Sequence, residues 1–418
     1  IIIPDTVTSI KDSAFSKCST LKKIKLSSNL ESIGISCFYS CSSLETISFP
    51  SSVSLIESKA FQNCKSLIEI ELSSPSSIQK ICSNAFSSCT SLKRIGYALS
   101  LENPDTNENS QPPEIMIPPS VQLVERYAFE ECSSIKQIAI NPYKTTIDEY
   151  AFYNCSSLHR MTIITSETSV LEFNKNLYKN ITSITIPTNV TIIEEESFKE
   201  YTWLQEIIIP SSVTEIRASS FLGCSSLKSV EIPSSVSIIG QFAFSGCTSL
   251  ETINIPQSVK QIGNSAFIGC ISLKEINLLS EITEICDSTF EDCSSLNNIV
   301  IPDTVTSIKD SAFSGCSSLK KIELSSKLKL IGISCFYSCS SLETISIPSS
   351  VVFIESHAFQ HCKSLSEVEF KAVSSVQKIC SNAFSFCTSL KQIELPNSVT
   401  SIDSMAFSEC TALSQVQI

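Results

Sequence analysis

Cysteine offers the most chemistry of any residue type in this sequence, and there are 20 cysteines. Thiolates bind metals and act as nucleophiles, and paired thiols form disulfides. Two close pairs, Cys37 with Cys41 and Cys335 with Cys339, have the i, i+4 spacing that places both sulfurs on one face of a helical turn. A metal site normally needs four ligands, and neither short segment contains a histidine, so we predict no metal there.

A second candidate is the pair His357 and His361, which is followed directly by Cys362. Two imidazoles at i and i+4 beside a thiol resemble half of a zinc site. Whether they form one depends on whether these positions are built for ligands, and the sequence contains its own comparison.

Residues 299–393 are a near copy of residues 1–95, offset by 298. Where the two histidines stand, the first copy has Lys59 and Asn63. Positions that accept lysine or asparagine are expected to face solvent. We therefore predict that both histidines point outward and that the chain holds neither a metal nor a cofactor.

The cysteines are positioned by an internal repeat, which is typical of solenoid proteins. We number each repeat, or coil, from its cysteine at slot 0. Most steps between coils are 23 residues; two are 25 and one is 43, which gives 17 coils. The residues at slot 0 are Cys18, Cys41, Cys64, Cys89, Cys132, Cys155, Tyr178, Tyr201, Cys224, Cys247, Cys270, Cys293, Cys316, Cys339, Cys362, Cys387 and Cys410.

Each coil carries apolar residues at the same slots: −11, −8, −3, +3, +6 and +8. The coil around Cys316 shows them as Val305, Ile308, Phe313, Leu319, Ile322 and Leu324. Alternation from +5 to +8 predicts a strand, and the pair at −11 and −8 predicts a second short extended piece. The spacing from −5 to 0 predicts about one turn of α- or 3₁₀-helix. Stacked coils would form parallel sheets.

The cysteines outside slot 0 occupy two further small-residue slots, −4 and −7. They are Cys37, Cys82, Cys286, Cys335 and Cys380. Because every cysteine stands where a small buried residue belongs, we interpret them as reduced core thiols. Some disulfides remain a second possibility, since a protein outside the cell meets oxidising surroundings.

Composition excludes several classes of function. The net charge of −12 opposes binding to nucleic acid or to an anionic membrane surface. No apolar run is long enough for a membrane span, so we predict no membrane insertion by this segment. No catalytic motif is present, and we predict that the chain is not an enzyme.

Two regions depart from the pattern. Residues 100–113 are polar, acidic and proline-bearing, and we expect a flexible insertion loop there, either inert or on a binding face. Residues 164–186 form a degenerate coil, in which Lys175 replaces the phenylalanine of slot −3. We otherwise expect one solenoid over residues 1–418. Both ends fall inside the repeat pattern, which suggests a fragment of a longer protein.

The 23-residue pattern I-P-x-x-V-x-x-I-x-x-x-A-F-x-x-C-x-x-L-x-x-I-x-I resembles the BspA-like leucine-rich repeats, and Ile301 to Leu324 matches it slot by slot. The Cys-Ser-Ser-Leu signature is similar to the protozoan branch, in trichomonads and Entamoeba. The resemblance implies a β-rich α/β leucine-rich-repeat solenoid, right-handed and of about 17 coils. It also implies a surface protein that adheres to host cells or matrix, with no catalytic residues to transfer.

The outward slots +5 and +7 of the predicted strands form the candidate ligand-binding face. The alternative interpretation is that these residues only keep the chain soluble. Without an aromatic hot spot, we expect weak and distributed contacts. The candidate residues are Lys23, Lys25, Glu69, Glu71, Arg94, Arg160, Glu206, Glu231, Glu275, Asn298, Lys321, Glu323, Glu367, Glu369 and Glu394.

Three sequons begin at Asn154, Asn180 and Asn189, and the last two are the better glycosylation candidates. Our leading hypothesis is a monomeric adhesin at the cell surface or outside the cell, with host or matrix proteins as partners. The alternative is a cytoplasmic scaffold for protein–protein interactions, which would fit reduced cysteines.

Overall fold

The computed structural model describes residues 1–97, 114–170, 180–278, 281–371 and 373–417. This part of the chain contains 35 strands and no helix. The strands belong to about 17 coils, most of them 23 residues apart, in a parallel-strand β-solenoid. The chain divides into two compact units: unit 1 is Ile1–Ser166 with Phe173–Pro187, and unit 2 is Glu167–Glu172 with Thr188–Ile418.

The first set of strands follows slot +3 of each coil, as the alternation predicts, with one addition: Ile115–Met116, within the 43-residue step, pairs between Arg94–Tyr97 and Gln137–Ile140. Their outward surface is called the strand face below. In unit 1 these strands are Lys23–Ile24, Thr46–Phe49, Glu69–Leu72, Arg94–Tyr97, Ile115–Met116, Gln137–Ile140, Arg160–Ile163 and Ser183–Thr185. In unit 2 they are Glu206–Ile208, Ser229–Glu231, Thr252–Ile255, Glu275–Leu278, Asn298–Val300, Lys321–Glu323, Thr344–Ile347, Glu367–Phe370, Gln392–Glu394 and Gln415–Gln417.

The second set consists of two-residue strands that end at slot −8. In unit 1 they are Ser9–Ile10, Ser32–Ile33, Leu55–Ile56, Lys80–Ile81, Leu123–Val124 and Thr146–Ile147. In unit 2 they are Ser169–Val170, Ile192–Ile193, Glu215–Ile216, Ile238–Ile239, Gln261–Ile262, Glu284–Ile285, Ser307–Ile308, Leu330–Ile331, Phe353–Ile354, Lys378–Ile379 and Ser401–Ile402.

Equivalent slots of successive coils pair in parallel. Thr46 pairs with Glu69, and Ile47 with Ile70. Register holds across the 25-residue step as well, where Glu69 pairs with Arg94. The two extra residues of that step therefore lie outside the strands, and each apolar side chain meets its equivalent in the next coil.

The segment from −5 to 0 is a series of turns, so the predicted helical turn is wrong. Ser311 and Gly315, at slots −5 and −1, have φ angles of 54° and 74°, in the left-handed region. A helix needs right-handed backbone throughout, so these two residues break it. The resulting turns are closed by bonds such as Cys316 N to Phe313 O, at 3.2 Å.

Every second N–H of this segment points toward the next coil. Ser311, Phe313 and Gly315 each donate to a carbonyl of the following coil at 2.8 Å. The turns thus form a third ladder of bonds between coils, beside the two sets of strands. The outward surface of slots −7 to −1 is called the turn face below.

The core of each unit contains a column of stacked phenylalanines at slot −3. In unit 1 the column is Phe15, Phe38, Phe61, Phe86, Phe129 and Phe152, and in unit 2 it is Phe198, Phe221, Phe244, Phe267, Phe290, Phe313, Phe336, Phe359, Phe384 and Phe407. Neighbouring ring centroids are 5.0 to 5.5 Å apart. Interior members are fully buried, so each ring packs against both neighbouring coils.

All 20 cysteines are free, and all but three of them are buried. At slot 0 the thiol does more than fill space, because 14 of these cysteines donate to the carbonyl oxygen of the slot −3 phenylalanine in the preceding coil, at 3.0 to 3.3 Å. The same carbonyl also accepts the backbone N–H of its own coil's cysteine. The thiol therefore links adjacent coils, a role that the sequence analysis did not foresee.

Two sequence predictions concern regions that the structure does not describe in full. The insertion loop at 100–113 lies outside them entirely. Of the degenerate coil at 164–186, residues 171–179 lie outside. The described remainder keeps the apolar pattern: Val170, Ile181, Ile184 and Ile186 are all buried.

Candidate binding surfaces

The structure places every predicted ligand-binding residue on the strand face. Glu69 and Arg94 are half-buried there. The others are exposed: Lys23, Lys25, Glu71, Arg160, Glu206, Glu231, Glu275, Asn298, Lys321, Glu323, Glu367, Glu369 and Glu394. Alternation explains this placement, because the intervening residue of most of these strands is buried in the core, as in Thr46–Phe49 and Lys321–Glu323. Both units therefore present a ladder of polar side chains at equivalent heights.

Several of these side chains are paired across or along the strands. Arg94 Nη1 lies 2.6 Å from Glu69 Oε1 on the neighbouring coil, and Arg94 also donates to the carbonyl of Tyr97. Lys321 and Glu323 form a pair at 2.8 Å within one strand. Exposed pairs of this kind contribute about 0–1 kcal/mol, so they orient the side chains more than they stabilise the fold.

A shallow groove in unit 2 collects part of this face. Its lining includes Lys321, Glu323, Thr344, Ser346 and Lys371. The Lys371 ammonium lies 2.8 Å from Glu369 and holds the pKa of that carboxyl below its usual range. The groove thus presents fixed charges of both signs beside hydroxyl groups, which suits a polar protein surface.

The first copy shows how this groove has changed. At the position of Glu323 it has Lys25, and at the position of Lys371 it has Ser73. Ser48 donates to Glu71 at 2.6 Å, on the same slots as Ser346 and Glu369. The backbone arrangement is shared while the charges differ, so the two copies present different chemistry on one scaffold.

The two histidines do not converge on a common point. His357 Nδ1 lies 2.7 Å from Gln360 Oε1, whereas the His361 ring stacks on Phe386 with centroids 4.5 Å apart. Both side chains are half-buried on the turn face, more enclosed than predicted. Within the described residues, no group of three or more His, Cys, Asp or Glu side chains is placed to hold a metal ion.

All three sequon asparagines are exposed, but they differ in availability. Asn189 Nδ2, the atom that carries a glycan, donates to the carbonyl of Glu167 at 2.8 Å. Asn154 lies beside the buried Cys155 with a φ of 57°. Asn180 lies in a turn just before the strand Ser183–Thr185.

Aromatic side chains gather on the turn face, which the sequence analysis did not consider as a binding surface. Tyr127, Tyr150 and Tyr153 have ring centroids 5.8 to 6.2 Å apart, and the guanidinium of Arg126 packs on two of these rings. The signal was present in the sequence, because serine is the commonest residue at slot −5 and two successive coils have tyrosine there.

No helix in the described part of the chain could cross a membrane.

No curated protein matches the sequence. Among solved structures, a leucine-rich repeat protein from Bacteroides ovatus is 28% identical, covers 98% of this chain and 92% of its own, and has a TM-score of 0.49. A leucine rich cell surface protein from Faecalibacterium prausnitzii is 27% identical over 79% of this chain and 90% of its own, with a TM-score of 0.32.

The match to a family is more extensive. The BspA type leucine rich repeat region matches residues 1–111, 103–226, 172–297 and 283–414, which together span nearly the whole chain. The matched stretches contain the repeated strands, the turn ladder and the phenylalanine columns described above. The chain belongs to the BspA-type leucine-rich-repeat family.

Proposed function

We propose that this chain is a surface adhesin that binds host cell-surface or extracellular-matrix proteins through its strand face. One observation supports this above all: the side chains at slots +5 and +7, most of them polar, project from successive coils in register. Such a surface offers many weak contacts at fixed spacing, which is suited to a large protein partner rather than a small molecule. The role is binding and not catalysis, as is typical of leucine-rich-repeat scaffolds.

The binding proposal is tested with purified chain on immobilised matrix proteins and on host cells. Saturable binding at micromolar concentration is expected. The double variant Lys321→Gln/Lys371→Gln removes two cations of the unit 2 groove and should weaken binding roughly threefold. The matched control is Lys260→Gln/Lys363→Gln, which removes two exposed cations outside the strand face.

An equal loss in the control would point to bulk charge rather than to the groove. Absence of saturable binding by the unaltered chain would overturn the adhesin proposal. Location is tested separately by antibody staining of intact and permeabilised cells of the source organism, for which we propose a mucosal protozoan parasite. Staining of intact cells is expected.

A second candidate function is an intracellular scaffold that assembles protein partners. The observation that favours it is the set of 20 free cysteines, since reduced thiols are usual inside cells and rare outside them. Staining only after permeabilisation would support the scaffold and exclude the adhesin.

A further inference from the structure

The turn face of unit 1 carries a compact aromatic cluster, which we call the tyrosine patch: Arg126, Tyr127, Tyr150 and Tyr153. Tyr127 and Tyr150 occupy slot −5 of successive coils, and Tyr153 occupies slot −2 of the second coil. Their side chains therefore meet on the surface. Tyr153 is 47% exposed, and Arg126 is also exposed.

The rings of this patch already bind a cation of the same chain. The guanidinium carbon of Arg126 lies 4.3 Å from the Tyr150 ring centroid and 5.0 Å from that of Tyr127. Arg126 Nη2 also donates to the Tyr127 hydroxyl at 3.3 Å. These contacts fix the two rings in place, so a partner would find them already ordered.

Four acidic residues lie close to the patch along the chain. Glu130 and Glu131 follow Tyr127 in its coil, and Asp148 and Glu149 precede Tyr150. Glu130, Glu131 and Asp148 accept hydrogen bonds from neutral donors, such as the Ser88 hydroxyl on Glu131 at 2.8 Å. Among the described residues, no lysine or arginine forms an ion pair with any of the four.

The balance of charge decides the kind of partner. These four carboxylates lie within four residues of the patch tyrosines in the sequence, whereas the patch itself contains a single cation, Arg126. An acidic ligand would be repelled, whereas lysine or arginine side chains could pair with the carboxylates and pack on the exposed ring of Tyr153. Tyrosine and arginine are also the residue types that dominate binding energy at protein interfaces.

We propose that the tyrosine patch is a docking site for a basic segment of a protein partner, one that presents lysine or arginine side chains. The inference rests on the proposed protein-binding role but assigns a second surface, separate from the strand face. It also supplies the aromatic hot spot that the strand face lacks.

The test titrates the full chain with a fluorescein-labelled oligolysine peptide at fixed ionic strength and follows fluorescence anisotropy. The variant is Tyr127→Ser/Tyr150→Ser/Tyr153→Ser. It keeps the net charge, and serine already occupies slots −5 and −2 in other coils, for example at Ser13 and Ser16. We expect about tenfold weaker binding by this variant, since each cation–ring contact is worth about two- to fivefold.

The matched control is Tyr39→Ser, which removes a tyrosine from slot −2 elsewhere in unit 1 and should leave binding unchanged. Should the triple variant not fold, as judged by circular dichroism, Tyr153→Ser alone tests the proposal, with an expected loss of about two- to fivefold. Unchanged binding by the folded variant would show that charge alone attracts the peptide and would overturn the proposal. So would absence of binding by the unaltered chain, or a preference for oligoglutamate.

The strand-face variant Lys321→Gln/Lys371→Gln should bind oligolysine as the unaltered chain does. The two proposals therefore fail separately. If the unaltered chain binds oligolysine through the tyrosine patch but shows no saturable binding to matrix proteins or host cells, only the adhesin proposal is refuted. If it binds matrix but the folded triple variant binds oligolysine as well as the unaltered chain does, only the tyrosine-patch proposal is refuted.

Discussion

Truncation of one phenylalanine in the unit 2 column tests how the coils are held together. Phe313 is fully buried between Phe290, at 5.3 Å, and Phe336, at 5.4 Å. Phe313→Ala should lower the free energy of unfolding by about 3–5 kcal/mol, as buried Phe→Ala changes do. The two lost ring pairs account for about 1–3 kcal/mol of that, at about 0.5–1.5 each.

The matched control is Phe407→Ala. Phe407 belongs to the same column but stacks on one described ring, Phe384, and is half-buried. Phe407→Ala removes one ring pair and less buried area, so we expect it to lower the free energy of unfolding by about 2 kcal/mol. The difference follows from a chain in which each coil contacts only its neighbours.

The assay is urea unfolding followed by far-ultraviolet circular dichroism, with both variants measured beside the unaltered chain. The dependence of the unfolding free energy on urea concentration should be the same for both variants, so that their urea midpoints can be compared. A cost for Phe407→Ala equal to that for Phe313→Ala would refute the reasoning, because it would mean that stacking on two sides adds nothing. A cost below about 1 kcal/mol for Phe313→Ala would refute it too, since the cavity would then have closed without loss.

Three further predictions follow from the thiols and the sequons. Burial raises the pKa of Cys37 and Cys270 to about 12, above the ordinary value of 9.0. The stability that these protonated thiols supply is therefore complete below about pH 9 and is lost as the pH rises toward about 12. The urea midpoint of the unaltered chain should therefore decrease as the pH is raised from 7 to about 10.5, and it should decrease less for Cys270→Ala. An equal decrease for both proteins would contradict the raised pKa of Cys270. At pH 7, Cys270→Ala should lower the free energy of unfolding, measured by urea titration, by about 1–2 kcal/mol. The Phe244 carbonyl loses its hydrogen bond from the thiol, at 3.2 Å, but keeps the one from a backbone N–H. An unchanged free energy of unfolding would show that the thiol only fills space. On secretion from eukaryotic cells, mass spectrometry should find a glycan on Asn180 in a larger fraction of chains than on Asn189, whose amide nitrogen is already bonded; equal occupancy would contradict this.

The sequence predicted the strands and their faces because side-chain alternation and a fixed period leave little freedom. Once Ile322 is known to be buried, the outward placement of Lys321 and Glu323 follows. Register was predictable for the same reason. The chemistry that each outward slot presents, however, is set by residue identity and not by the period.

The helical turn was mispredicted because apolar spacing does not reveal backbone handedness. Alanine at −4, phenylalanine at −3 and cysteine at 0 fit one face of a helix equally well. The overlooked signal was glycine at slot −1, as in Gly315, where a φ of 74° strains any residue with a Cβ atom. The bond from thiol to carbonyl was beyond reach, because its acceptor belongs to the preceding coil.

The three ladders of hydrogen bonds between coils join backbone groups, and the side chains that stack are alike, so the interface of one coil fits that of almost any other. At the level of the gene, recombination that gains or loses whole coils should yield chains that still fold, and the near identity of residues 1–95 and 299–393 is what such an event leaves behind. During refolding the same property becomes a hazard. A coil can dock one repeat out of register, and dilution will not prevent this error, because the wrong neighbour is part of the same molecule.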